Sequence, residues 1–207
     1  MVTQEDIIVN NTSIEIPFTS NLIGTKGETP ELTNNIRQDN GCISILGNNI
    51  ENFVLYNIGN MLQTCSIVNI SLDVRLDNTS VNDVPRFPIF CPEGDFVFES
   101  PISIMFDYNP TALSSKIVIY LCGIPRDPNG NGGYLGSTVG EWHTMNLIWN
   151  YNTKLVAGFI DGNILSRRWP TASRPSYTNR PTKIVFGYKG IGYDLSYSIR
   201  NFRLSVQ

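Results

Sequence analysis

The chain has 207 residues, 41% hydrophobic and 11% aromatic, with a formal net charge of -3. That apolar content supports a core and excludes general disorder. The negative balance excludes nucleic acid as a partner, because phosphate binding needs a concentrated basic face.

No apolar run approaches the roughly 18 residues needed to cross a bilayer, so membrane insertion is not expected. Charged residues are only 16% of the chain, and Asn supplies about one residue in nine, a composition that suits turn-rich β structure. The N-terminus MVTQEDIIVNN lacks the basic start and apolar core of a signal peptide. The chain is therefore expected either to stay in the cytosol until assembly or to be a piece of a longer protein. Cys42, Cys65, Cys91 and Cys122 are widely spaced with no C-x-x-C pair, and His143 is the sole histidine. Free thiols are expected, with no metal site and no cofactor.

In chain order, residues 1–13 form a lead-in and residues 14–207 one β-domain. TSIEIPFTS (12–20) alternates Ile14, Ile16 and Phe18 with polar neighbours and predicts a first strand. Residues 21–40 carry Gly24, Gly27, Pro30 and several Asn, and predict a long loop or irregular ribbon. GCISIL (41–46) and NFVLYN (52–57) predict two strands around a Gly-Asn-Asn turn. CSIVNISLDVRL (65–76) has the cleanest alternation, with Ile70, Leu72, Val74 and Leu76 opposite Ser71, Asp73, Arg75 and Asp77. Two carboxylates on one strand face could flank a glycosidic bond, but an outward polar face with Arg75 between neutralising neighbours is the favoured reading, since nothing in the strand suggests a raised-pKa acid.

PRFPIFC (85–91) is proline-punctuated and predicts an edge strand or a bulged segment. Residues 96–99 and 102–108 predict a hairpin through Ser100-Pro101, and KIVIYLC (116–122) a central strand. GIPRDPNGNGGYLG (123–136) predicts a flexible loop whose single carboxylate, Asp127, is too few for calcium. GEWHTMNLIWNYNTKLVAGFIDGNIL (140–165) predicts two strands joined by a tight turn and closed by Asp161-Gly162, a strong hairpin signal. SRRWPTASRPSYTNRP (166–181) gathers Arg167, Arg168, Arg174 and Arg180 with Trp169 and Tyr177 in a polar loop. Aromatic faces stack on sugars and Arg forks grip carboxylates. Tyr134, Arg168, Trp169 and Tyr177 are accordingly the candidate ligand contacts. Residues 184–188 and 199–206 predict two closing strands, and no segment predicts an amphipathic helix.

The order of these pieces resembles the laminin-G-like, concanavalin A-like jelly-roll family, in the versions found in phage and viral structural proteins. IPFTSNLIGTKGETPELTNN is similar to that family's opening strand and loop. NGCISILGNNIENFVLYN resembles its strand–turn–strand unit, and CSIVNISLDVRL its next strand, with Val74 where an aromatic is usual. GEWHTMNLIWNYNTKLVAGFIDGNIL resembles its "G-x-W-H … D-G" hairpin, and IVFGYKGIGYDLSYSIRNFRLS its closing strands. The resemblance covers about residues 14 to 206 and implies an all-β, two-sheet antiparallel jelly-roll sandwich. It also makes Trp142 and His143 a structural pair at the head of a strand. Glycanases of the superfamily carry an E-x-D-x-x-E strand, whereas SLDVRLD has no Glu. The expectation is therefore a non-enzymatic, lectin-like attachment module for a glycan or cell-surface receptor. Its expected setting is the virion surface, as a fibre or spike head, trimeric if a fibre head. A purely structural or oligomerisation module is the alternative, and a glycoside hydrolase the third reading.

Overall fold

The computed structural model describes residues 8–10, 13–16, 18, 31–32, 36–39, 41–47, 52–78, 86–88, 102–109, 114–121, 135–137, 139–153, 155–168, 180–188 and 196–207. Among the described residues there is no helix, and sixteen strands follow in order. They are β1 (Ile8–Asn10), β2 (Ser13–Ile16), β3 (Glu31–Leu32), β4 (Ile36–Asp39), β5 (Cys42–Ile45), β6 (Asn52–Asn57), β7 (Ile67–Leu76) and β8 (Arg86–Pro88). Then come β9 (Ile102–Asn109), β10 (Ser114–Leu121), β11 (Leu135–Ser137), β12 (Trp142–Asn150), β13 (Leu155–Ile160), β14 (Asn163–Arg168), β15 (Lys183–Tyr188) and β16 (Tyr197–Val206).

The first layer is a nine-stranded antiparallel sheet in the order β1-β2-β16-β7-β12-β13-β14, with β5 and then β4 added beside β16. The long β16 pairs β7 along one edge. Along the other it pairs β5 through residues 197–200 and β2 through residues 202–205. The second layer comprises β3-β6-β15 and β8-β9-β10-β11, with β8 lying alongside β15. The last strand thus closes the sheet onto the first ones. This is the all-β antiparallel jelly-roll sandwich that the family resemblance implied.

Period-2 alternation dictates what each layer buries. Val68, Ile70, Leu72, Val74 and Leu76 of β7 share the core with Met145, Leu147 and Trp149 of β12 and Ile199, Phe202 and Leu204 of β16. From the second layer come Val54, Tyr56, Ile184 and Phe186. Phe186 sits at the crossing point. Its ring meets Phe202 at 4.9 Å, Phe18 at 5.7 Å and Tyr56 at 5.9 Å, each edge to face. On the opposite face of the β6–β15 ladder, Phe53, Leu55 and Val185 form a separate buried cluster. NFVLYN therefore reads as a continuous apolar run, because both of its faces are covered.

Some expectations need correction. Residues 21–40 do not form only a loop, since β3 and β4 lie within them. Ile36 and Gln38 of β4 are half-buried and Arg37 is exposed, an alternation obscured by the surrounding Gly, Pro and Asn. The residues 96–99, expected to pair with the next strand, lie outside the described residues, and β9 takes β8 and β10 as neighbours. In the turn at 151–153 Asn150 Oδ1 accepts the Thr153 amide at 2.9 Å. Asp161 and Gly162 do adopt positive φ, 50° and 80°, the two left-handed residues that a type I′ hairpin turn requires.

Candidate functional site

The Asp161 turn explains the one histidine. Asp161 Oδ2 lies 2.8 Å from His143 Nδ1, Oδ1 accepts the Thr144 amide at 2.9 Å, and the Asp161 amide donates to the Thr144 carbonyl at 2.9 Å. The carboxylate thus ties the β13–β14 turn to the first residues of β12. His143 Nε2 is buried and has no hydrogen-bond partner. A general base must reach the proton that it removes; this imidazole points into the core and holds a hairpin.

The opposite, outward face of the nine-stranded sheet carries the chemistry. Register places its side chains in rows across the strands. One row is Arg37–Ser44–Ser198–Arg75–Trp142, and the next is Cys42–Arg200–Asp73–Thr144. Further along come Glu15–Arg203–Ser71–Asn146–Phe159 and Ser13–Ser205–Asn69–Ile148–Ala157. The first two rows are strongly connected. Trp142 lies under two guanidiniums, with Arg200 Cζ 4.2 Å and Arg75 Cζ 4.7 Å from its ring centre. Arg75 Nε donates to Asp77 Oδ1 at 2.6 Å, Ser198 Oγ to Asp77 Oδ2 at 2.5 Å, and Ser44 Oγ meets Ser198 Oγ at 2.7 Å.

Asp73 is the centre of the second row. Its Oδ1 accepts Thr144 Oγ1 at 2.8 Å, and its Oδ2 accepts Arg200 Nε at 3.0 Å and Asn201 Nδ2 at 2.8 Å. Two consecutive residues reach one carboxylate because β16 bulges between Arg200 and Arg203, with Asn201 at φ 54°. Such a bulge re-aims side chains that a regular strand would send to opposite faces. Burial by itself would raise the Asp73 carboxyl, but the three hydrogen bonds and the Arg200 charge hold it below its usual range. It is therefore an ionised anchor and unsuited to donating a proton. Asp77 stands four residues on, roughly 13 Å away at about 3.3 Å per residue, beyond the roughly 5–10 Å of a glycosidase pair. The two-carboxylate reading of this strand fails on distance and on protonation.

A depressed folded pKa stabilises above the unfolded value, near 4 for Asp, and that stability is lost as pH falls through the folded value. Asp73→Asn is expected to cost about 1–3 kcal/mol at pH 7, the usual loss for a charged hydrogen-bond acceptor. The difference from wild type should shrink below about pH 4. Urea unfolding at neutral and acid pH reads this, and an equal difference at both would contradict it.

Of the sequence-predicted contacts, Tyr134, Trp169 and Tyr177 lie outside the described residues. Arg168 does not begin a loop; it is the last residue of β14, opposite Val156 of β13. The next described residue after Arg168 is Arg180. That arginine is committed to the scaffold. Its Nη1 donates to the carbonyls of Leu62 at 2.5 Å and Cys65 at 2.7 Å, and its guanidinium covers the Tyr151 ring at 3.8 Å. Cys42 and Cys65 are free thiols, as expected, and Cys91 and Cys122 lie outside the described residues. Among the described residues no group of His, Cys, Asp or Glu could hold a metal.

The sheet-face arrangement was only half visible in sequence. SLDVRLD announced the outward Asp73, Arg75 and Asp77, but its partners come from 65 residues or more downstream. Nothing local in SIRNFRL reveals that Asn201 bulges.

No family model matches the chain, and no curated protein matches it. Solved structures do. Alginate lyase Aly36B, as a mutant in complex with alginate tetrasaccharide, is 13% identical with a TM-score of 0.59, over 95% of this chain and 97% of that one. The metal-free carbohydrate recognition domain of Emp46p is 14% identical with a TM-score of 0.54, over 90% and 94%. A structure of botulinum neurotoxin type C, described as entering cells through two ganglioside molecules, is 15% identical with a TM-score of 0.55, over 87% of this chain. The chain spans only 44% of that toxin chain. At these identities the likeness is one of fold. It corrects one expectation: the chain cannot be classed as a non-enzyme by its architecture, because a polysaccharide lyase carries the same fold over nearly its whole length. The chain has the jelly-roll sandwich fold shared by these binding domains and enzymes.

Proposed function

We propose that this chain is a carbohydrate-recognising β-sandwich domain of laminin-G-like descent. One observation carries the reading: the outward face of the nine-stranded sheet presents Trp142 and the guanidiniums of Arg75 and Arg200, held by Asp73 and Asp77. Sugars take hydrogen bonds from such fixed forks and lie against such flat surfaces. Rigid support matters because groups already in place lose little entropy on binding. Glycan-related proteins among those of like fold support the same reading. Tyr134, Arg168, Trp169 and Tyr177 are proposed as further contacts. The resemblance to phage and viral structural proteins extends the proposal to a fibre or spike head at a particle surface, trimeric in that setting.

A glycan array, followed by titration of the hits, tests this. Trp142→Ala is expected to weaken binding of the recognised glycan about tenfold or more, and Trp169→Ala to weaken it if the loops take part. Sugar release is followed in the same samples. A silent array with no sugar release, from a protein that sediments as a defined trimer, would sink the carbohydrate reading in favour of a structural docking module.

A further inference from the structure

The two halves of the outward sheet face differ in what their polar groups have to bond. Around Asp73, Arg75, Asp77, Ser198 and Arg200 the hydrogen bonds are internal. One row further on, Ser71 and Asn146 stand side by side, with Asn69 and Ser205 in the row beyond. All four are half-buried, and none makes a side-chain hydrogen bond among the described residues. Two amides and two hydroxyls thus face outward together, with Phe159 beside Asn146 and Ile148 beside Asn69. At about 4.8 Å per strand, the patch from β16 to β13 is about 14 Å wide.

Three ion pairs are described on this face. Arg200 pairs with Asp73, Arg75 with Asp77, and Arg203 with Glu15 at 3.4 Å. Arg37, for which no carboxylate partner is found among the described residues, lies on β4, separated from β12 by β5, β16 and β7. Within the two rows from β16 to β13 the cation is Arg203, which is paired with Glu15, so an anionic ligand there would have to break that pair; Arg167 lies beyond, on β14 opposite Ala157. An uncharged chain of hydroxyls meets amide donors, amide acceptors and hydroxyls without that cost.

We infer that Asn69, Ser71, Asn146 and Ser205, bordered by Phe159 and Ile148, form a subsite for an uncharged, hydroxyl-rich glycan. The inference rests on the carbohydrate reading above, narrows it to neutral sugars and adds this patch beside the Trp142 contacts.

The test is calorimetric titration of the full chain with neutral hexasaccharides of β-glucan, mannan and xylan, and with a hexauronate and a sialylated oligosaccharide. One neutral series is expected to bind and the acidic sugars to bind at least tenfold more weakly. Asn146→Ala and Asn69→Ala should each reduce the neutral affinity about tenfold, the effect of losing a paired hydrogen bond, with thermal melting unchanged. Asn146→Ser, a smaller change, should weaken it less. Preference for an acidic sugar, or a neutral affinity indifferent to both alanine variants, overturns the inference while leaving carbohydrate recognition standing. Failure of every sugar to bind removes that reading and this one with it.

Discussion

Gly187→Ala is expected to abolish the stable fold. Gly187 lies in β15 opposite Phe53 of β6, at φ 113°. A Cβ there would sit 2.2 Å from the Asn52 carbonyl oxygen and 2.7 Å from Phe53 Cα. Both contacts are backbone, so no rotamer change can relieve them, and the ladder would have to separate. The conformation is itself one that side chains rarely adopt, at about 1–3 kcal/mol. Together with the clash, a loss above about 4 kcal/mol is expected, a large part of a typical domain's stability. The measurement is recovery of soluble protein and its urea midpoint. A variant that melts within a few degrees of wild type would show that β6 and β15 can part at little cost.

Phe186→Ala should be the most damaging change among the core side chains. The residue is 1% exposed, and its ring touches Phe18, Tyr56 and Phe202. Those contacts reach from the second layer to β16 and to the segment following β2, so the ring is a bolt between layers. Loss of the buried ring and the cavity left behind cost about 3–5 kcal/mol, to which the three edge-to-face contacts contribute. Phe186→Leu keeps much of the volume and should recover part of the loss. Equilibrium unfolding of the two variants reads the difference. Equal stabilities would mean that volume is unimportant at this position.

Both predictions concern residues whose local sequence says little. IVFGY reads as an ordinary apolar strand; only the pairing with β6 shows why its fourth residue is glycine. The same holds for the outward face. Asp73, Arg75 and Asp77 could be placed together from alternation, since a strand sends every second side chain to the same side. That Thr144, Arg200 and Asn201 converge on Asp73 depends on β12 and β16 flanking β7, a matter of sheet order.

His143 is the converse case. As the only histidine it invites a catalytic role, and the resemblance to a family hairpin argued for a framework one. Asp161, 18 residues later, settles which partner it has. The hairpin register brings the Asp-Gly turn beside the head of β12, and the carboxylate then closes onto Nδ1.

The chain's sequence by itself determined the β class, the antiparallel hairpin at residues 140–165, the alternation of β7 and the apolar inner faces. These follow from period-2 burial and turn chemistry, which act over a few residues. Only the tertiary structure decided that β16 lies between β7 and the pair of strands β2 and β5, and that its bulge turns Asn201 toward Asp73. It also separated the internally bonded half of the sheet face from the half whose amides and hydroxyls remain open. The physical reason is the same in each case. Hydrogen-bond satisfaction and close packing are settled between strands far apart in the chain, and no local pattern records which strands will be neighbours.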